Sequence, residues 1–125
     1  MPEGSARYPY QAQIDAYGNG GFRFADMSHR GSILCLPSGI YAWDVQSPDA
    51  IDLGAFDQVF AEKDRIRFLL LGTGRAQVFP SLEIRSAFAN AGLGLEPMDT
   101  GAACRTHNVL LAEHRQLAAA LIAVD

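Results

Sequence analysis

One lysine, one tryptophan and two cysteines stand in 125 residues, and each scarcity excludes something. Lys63 is the single lysine and the arginines are scattered, so no basic run is available to follow a phosphate backbone. With a net charge of −4, nucleic-acid binding is disfavoured. Cys35 and Cys104 lie far apart without CxxC spacing, so two reduced, buried thiols are expected rather than a disulfide. His29, His107 and His114 lack zinc-ligand spacing, and no metal is expected. The longest apolar run, Leu117–Val124, is far too short for a transmembrane segment. The opening MPEGSARYPY lacks the basic-then-apolar pattern of a signal peptide, which makes a cytoplasmic location the expectation. Charged residues make up 19% and hydrophobic residues 49%, a balance that excludes a disordered chain.

What is present reads as two halves of one domain. Residues 1–11 hold Pro2 and Pro9 and no apolar stripe, so a loosely ordered tail of little weight for stability is expected there. Residues 12–125 are expected to form a single α/β domain. QIDAYGNGGFRFAD gives two strands around a turn at Asn19-Gly20, and GSILCLPSGIYAWDV gives two more around Pro37-Ser38-Gly39. The second half alternates helix and strand. An amphipathic helix is expected over residues 53–63, from Leu53, Phe56, Val59 and Phe60. IRFLLL is unbroken apolar, as in a strand buried on both faces. Ser81 caps a second helix with Ile84, Ala87, Phe88 and Ala91 inside and Gly92 ending it. LGLEPM is a short strand. Asp99 or Thr100 caps a third helix, with Ala102, Thr106, Val109, Leu110 and Glu113 on one face, and QLAAALIAV returns as a strand. The expected fold is three-layer α/β: a mixed central sheet with parallel strands (66–71, 93–96 and 116–123) and crossover helices, plus an N-terminal antiparallel β-meander layer.

The stretch RFLLLGTGRAQVFPS poses the functional question. Its loop Gly72-Thr73-Gly74-Arg75 stands at the carboxyl end of an expected parallel strand, where ligands bind in open α/β sheets. Glycines let N–H groups approach an anion, Thr73 offers a hydroxyl, and Arg75 offers a guanidinium fork. The dinucleotide fingerprint needs a third glycine where Gln77 stands, the P-loop lysine is missing, and the helix does not begin until Ser81. No nucleotide or other cofactor is expected. Trp43-Asp44 ends a strand and Asp99-Thr100 opens a helix. If these ends meet the loop, they rim one crevice; taken singly, Trp43 is core and the aspartates are turn or cap residues. Cys104 and His107 lie three apart on the third helix, but no third group orients them, and no catalytic residue is assigned.

IDAYGNGGFRF, GSILCLPSGIYAWDV, LLLGTG, MDTGAACRTHNVLLAEHR and AAALIAV, in this order, resemble a widespread family of uncharacterised small proteins. Its mitochondrial members include an assembly factor for respiratory complex I, and another animal branch is named for a link to adipogenesis. The resemblance spans roughly residues 13–124 and implies a three-layer α/β fold without established catalytic residues. The matching positions are Gly31-Ser32, Trp43, Gly72-Thr73-Gly74, Thr106, Asn108, Glu113 and Arg115. Two departures are His107, where the family usually has tyrosine, and His114, where it usually has a glycine that ends the helix in a left-handed conformation.

Two functions of different class follow. The first is a non-catalytic binding or assembly module with a protein partner, a subunit of a membrane-associated respiratory-type complex, held at the periphery of the inner membrane through that partner. The alternative is an enzyme or small-ligand sensor. It would use a crevice formed by Trp43, Asp44, Gly72, Thr73, Gly74, Arg75, Asp99, Thr100 and Asn108, taking a carboxylate or a partner's side chain. Fold alone does not choose between them.

Overall fold

The computed structural model describes residues 6–125. Eight strands and three helices follow in the order β1 (Ala16–Gly18), β2 (Gly21–Phe24), β3 (Met27–Arg30), β4 (Ser32–Leu36), β5 (Gly39–Trp43), α1 (Asp57–Ala61), β6 (Phe68–Gly72), α2 (Leu82–Asn90), β7 (Gly94–Met98), α3 (Thr100–Ala112) and β8 (Leu117–Leu121). The central sheet has strand order β5-β4-β8-β6-β7, and β1-β2-β3 form a separate antiparallel sheet. β6 pairs in parallel with both β7 and β8, with Leu70 opposite Glu96 on one side and Ala119 on the other. β4 runs antiparallel to β8 and to β5. The expected parallel trio is therefore adjacent. The meander divides: its β4–β5 hairpin joins the central sheet, and its first three strands build the extra layer.

The unbroken apolar runs follow from burial on both faces. Leu34, Leu36, Leu69, Leu71, Ala118 and Ala120 point to one side, where they meet Phe56, Val59, Ile84 and Phe88. Ile33, Cys35, Leu70, Ala119 and Leu121 point to the other, against Ile14, Phe22, Phe24, Ala103 and Cys104. The period of two along each strand thus serves two cores. α1 and α2 cover the first, and α3 with the small sheet covers the second. Phe88 of α2 meets the rings of Phe56 and Phe60 at 5.1 and 4.8 Å, joining the two helices of the first layer.

Three expectations are corrected. β3 was not foreseen, because the β2–β3 turn is made by Ala25 and Asp26 at φ 49° and 62°. A two-residue hairpin turn wants positive φ, and Asn-Gly or Asp-Gly announces it where Ala-Asp does not. The helix over 53–63 breaks into a 3-10 turn at Leu53–Phe56, the five-residue α1, and a 3-10 turn at Lys63–Arg65. Asp52 caps the first turn through Ala55 N–H at 3.0 Å, and Phe56 and Val59 are still buried as the apolar spacing requires. α3 turns a different face inward: Thr100, Gly101, Ala103, Cys104 and His107 are buried, and Val109 is exposed. The small side of the helix is the one that fits closely on β6 and β8. A Cβ at Gly101 would overlap the Tyr17 hydroxyl of β1.

Other local signals are realised as read. Ser81 caps α2 through Ile84 N–H. Gly92 follows that helix at φ 74°, and His114 takes the left-handed position after α3 at φ 60°. Near the start of the described chain, Arg7 N–H donates to Ile40 O at 2.7 Å and Ile40 N–H donates to Tyr8 O at 2.9 Å. These bonds lay residues 7–8 along β5, which is an edge strand of the central sheet.

Candidate functional site

The carboxyl ends of β5, β6, β7 and β8 all reach one edge of the central sheet. The register places Trp43 beside Ser32, Ile33 beside Leu121, and Gly72 between Leu121 and Met98. Trp43-Asp44 and Gly72–Arg75 thus share an edge. β4 and β8 lie between β5 and β6, so the two groups stand about 14 Å apart across three strand intervals.

Gly72–Gly74 and the start of α3 are stitched together. Thr100 N–H donates to Gly74 O at 2.8 Å, Gly74 N–H donates to Thr100 Oγ1 at 2.9 Å, and Thr100 Oγ1 donates to Ile122 O at 2.7 Å. Thr73 does the same one residue earlier. Its N–H donates to Met98 O at 2.9 Å, its hydroxyl donates to Ala76 O at 2.6 Å and accepts from Val78 N–H at 3.0 Å. Thr73 and Thr100 are both buried. The reason for glycine at position 72 is contact: a Cβ there would stand 3.1 Å from Thr100 Cα. Gly74 is needed for its φ of 101°. The N–H groups of Thr73 and Gly74, which a phosphate would require, are thus taken by protein oxygens. Asp99 Oδ1 accepts from Ala102 N–H at 2.8 Å, so a carboxylate of the chain itself occupies the anion position at the α3 N-terminus. Arg75 alone points outward, with its guanidinium 3.9 Å from the Asp125 carboxylate and both groups largely exposed.

The remaining sequence-selected residues lie elsewhere. Trp43 is buried, and its Nε1–H donates to Ala55 O at 2.9 Å. Asp44 is exposed beside a cavity of about 740 Å³ that Trp43, Arg7, His29, Arg30 and Ser32 also line, and to which Gly72–Arg75 do not contribute. Asn108 acts on the backbone of the segment before β1: Ile14 N–H donates to its Oδ1 at 2.7 Å, and its Nδ2 donates to Ile14 O at 2.8 Å. The nine residues therefore occupy three places, with Gly72–Arg75, Asp99 and Thr100 together, Trp43 and Asp44 together, and Asn108 on the α3 flank.

Cys104 and His107 both face the core. Burial pushes the Cys104 thiol up to about 12 against a smaller opposing pull from Arg105, so the thiolate is disfavoured. Burial also raises the Cys35 thiol, with Cys104 nearby adding to it. Both thiols are unpaired. Burial holds His107 below its ordinary range, with a hydrogen bond to Asn108 opposing it, and Nε2 of His107 has no partner. His107 is therefore a neutral core imidazole at the position where tyrosine is usual in the family it resembles.

Sequence reasoning passed over a surface on the other side of the molecule. Val78, Phe79 and Leu82 are exposed, Phe79 at 70% and Leu82 at 68%. Behind Phe79 lies a groove of about 350 Å³ lined by Pro80, Arg85, Phe88, Leu93, Leu95 and Pro97. The signal was present in the apolar residues flanking the cap Ser81, outside the inner stripe of α2. Reading the segment as the tail of a phosphate loop concealed it.

The comparisons with known proteins agree with this architecture. A mouse protein described as NADH dehydrogenase [ubiquinone] 1 alpha subcomplex assembly factor 3 is 30% identical over 117 residues, covering 94% of this chain and 63% of its own length. The chain spans about three fifths of the length of such curated relatives. A crystal structure described as an outer membrane protein of Bartonella henselae superposes with a TM-score of 0.91 at 51% identity, covering 94% of this chain and 99% of that one. An NMR structure of a Rhodopseudomonas palustris protein gives 0.83 at 39% identity, covering 100% and 93%. No helix among the described residues is long and apolar enough to cross a membrane. The family model described as "Protein of unknown function (DUF498/DUF598)" matches residues 14–122, from Ile14 under the Asn108 clamp to Ile122 under the Thr100 hydroxyl, and the chain belongs to that family.

Proposed function

We propose that this protein is a non-catalytic binding module that assists assembly of a membrane-associated complex of respiratory type. The observation that carries the reading is the exposed apolar surface of Val78, Phe79 and Leu82 beside the groove over Phe88 and Leu95. Surface of this kind, next to a concave apolar floor, suits the side chains of a protein partner. Its partner is a subunit of the complex, and through that subunit the protein is peripheral to the inner membrane on the cytoplasmic side. Three observations support the choice. The polar groups at the strand ends are satisfied within the chain, and the one candidate thiol is buried and protonated. Curated relatives are described as assembly factors for a respiratory NADH dehydrogenase.

The test places a photocrosslinking residue at Arg85, on the groove wall, and recovers adducts from the membrane fraction of native cells. One defined respiratory-complex subunit is expected, captured by the parent chain and lost when Phe79→Asp is added. A central aromatic contact of this kind contributes about 2 kcal/mol or more, or roughly 30-fold in affinity. Capture that ignores Phe79→Asp, or an adduct set without such a subunit, refutes the proposal.

A further inference from the structure

The cavity beside Trp43 carries chemistry that an assembly role does not use. Arg7 and Arg30 both line it, together with His29, Ser32 and Asp44. A smaller cavity of about 470 Å³ adjoins it, shares His29 and Arg30, and adds Arg23. This local density of arginine occurs in a chain whose net charge is −4. Among the described residues, ion pairs are made by Arg65, Arg75 and Arg115, and no carboxylate lies within pairing distance of Arg7 or Arg30. Arg23 is held by the Ser28 hydroxyl at 2.8 Å.

We infer that the cavity between Arg7, Arg30 and Trp43 binds the oxyanion head, carboxylate or phosphate, of a small organic ligand. Two guanidiniums facing one concave space repel each other, and an oxyanion between them relieves the repulsion and accepts their forked N–H donors. Arg30 is placed for this by the turn below it. Its Nη1 lies 3.7 Å from where a Cβ on Gly20 would be, ordinary contact distance, so the guanidinium lies over the β1–β2 hairpin turn. Arg7 is placed by the backbone bonds that fix residues 7–8 along β5. The field of Arg7 is already felt in the cavity: it helps burial hold His29 below its ordinary pKa, against a hydrogen bond with the Ser32 backbone. Asp44 on the same wall sets a limit on the ligand. It repels a dense polyanion and favours one oxyanion head on a body of low charge. A volume of about 740 Å³ is within the range of sites that hold small organic molecules.

The test is an NMR titration of the intact protein with benzoate and with phenyl phosphate, and with sodium chloride at matched ionic strength as the control. Saturable shifts are expected at the amides of Gly31, Ser32 and Ala123, together with a rise in the His29 titration midpoint as the bound anion offsets Arg7. Affinity is expected to fall at least tenfold in Arg30→Gln and in Arg7→Gln, and to stay unchanged in Arg65→Gln, an exposed arginine that lines neither cavity. Both cavity arginines are exposed, so the amide spectrum elsewhere verifies that each variant is folded. A response to benzoate alone assigns a carboxylate ligand, and a response to phenyl phosphate alone assigns a phosphate ester. Shifts that chloride reproduces, or saturable binding that survives both arginine substitutions, overturn the inference.

Discussion

Thr100→Val tests whether the Gly72–Gly74 loop is a closed structural joint. The substitution keeps the side-chain shape and deletes one hydroxyl at a residue with 0% exposure. That hydroxyl donates to Ile122 O at 2.7 Å and accepts from Gly74 N–H at 2.9 Å. Valine leaves one buried C=O and one buried N–H without partners. Each stranded group costs about 1–3 kcal/mol, so the loss is about 2–6 kcal/mol, against a total of about 5–15 for a typical domain. At about 4 °C per kcal/mol for a chain of this size, the melting temperature falls by roughly 8–24 °C. Thr100→Ser keeps the hydroxyl and loses one methyl, about 1 kcal/mol. The assay is thermal and urea unfolding of the three proteins side by side, with amide exchange at Gly74 as the local readout. A valine variant as stable as the serine variant, with Gly74 still protected, refutes the reasoning.

Two further expectations come from α3. His107 is neutral in the fold and titrates below its ordinary pKa of 6.5 because burial disfavours the charged form. Below pH 6.5 the unfolded chain therefore binds the extra proton. Stability declines by up to about 1.4 kcal/mol per pH unit, from 6.5 downward until the folded imidazole itself protonates. His29 contributes with the same sign, being lowered chiefly by burial. His107→Phe removes the unpaired Nε2 and is expected to flatten this decline, measured as urea midpoints at pH 7.5 and 5.5; an equal slope in both proteins rejects the assignment. Asn108→Ala removes the paired bonds of 2.7 and 2.8 Å to Ile14, costing about 1–3 kcal/mol and exposing the Ile14 amide to exchange. Unchanged exchange at Ile14 would show that the clamp is idle.

The parts of the fold legible in the sequence are those where one residue type has one physical use. The runs FLLLG and LAAAL are apolar at every position because both faces of β6 and β8 are covered, and no half-exposed strand would tolerate them. Ser81 and Asp99 cap helices because their side-chain oxygens accept the free N–H groups behind them. The β2–β3 turn was not legible because Ala25 and Asp26 enter the left-handed region without a glycine to announce it. The inward face of α3 was misread because periodicity weighs hydrophobicity, and this helix is chosen for smallness. Gly101 and Ala103 are buried against the sheets, and the more hydrophobic Val109 is left at the surface.

The candidate site shows the same limit at the level of chemistry. Glycines at the end of a parallel strand free backbone N–H groups, and the sequence cannot say what takes them. Here Met98 O takes the Thr73 N–H and the Thr100 hydroxyl takes that of Gly74, while the Thr73 hydroxyl takes the N–H of Val78 further along the loop. A hydroxyl is both donor and acceptor, so each threonine satisfies an N–H and a C=O at once and closes the space an anion would enter. Distinguishing a phosphate cradle from such a joint requires the position of Thr100 relative to Gly74, 26 residues apart in sequence. Arg7 and Arg30 belong to the first half of the chain and line one cavity because the hairpin at Gly20 and the backbone bonds to Ile40 place them there. A motif search along the chain finds groups that are neighbours in sequence. In this fold those neighbours bind one another, and the charges left facing a cavity come from residues 23 positions apart.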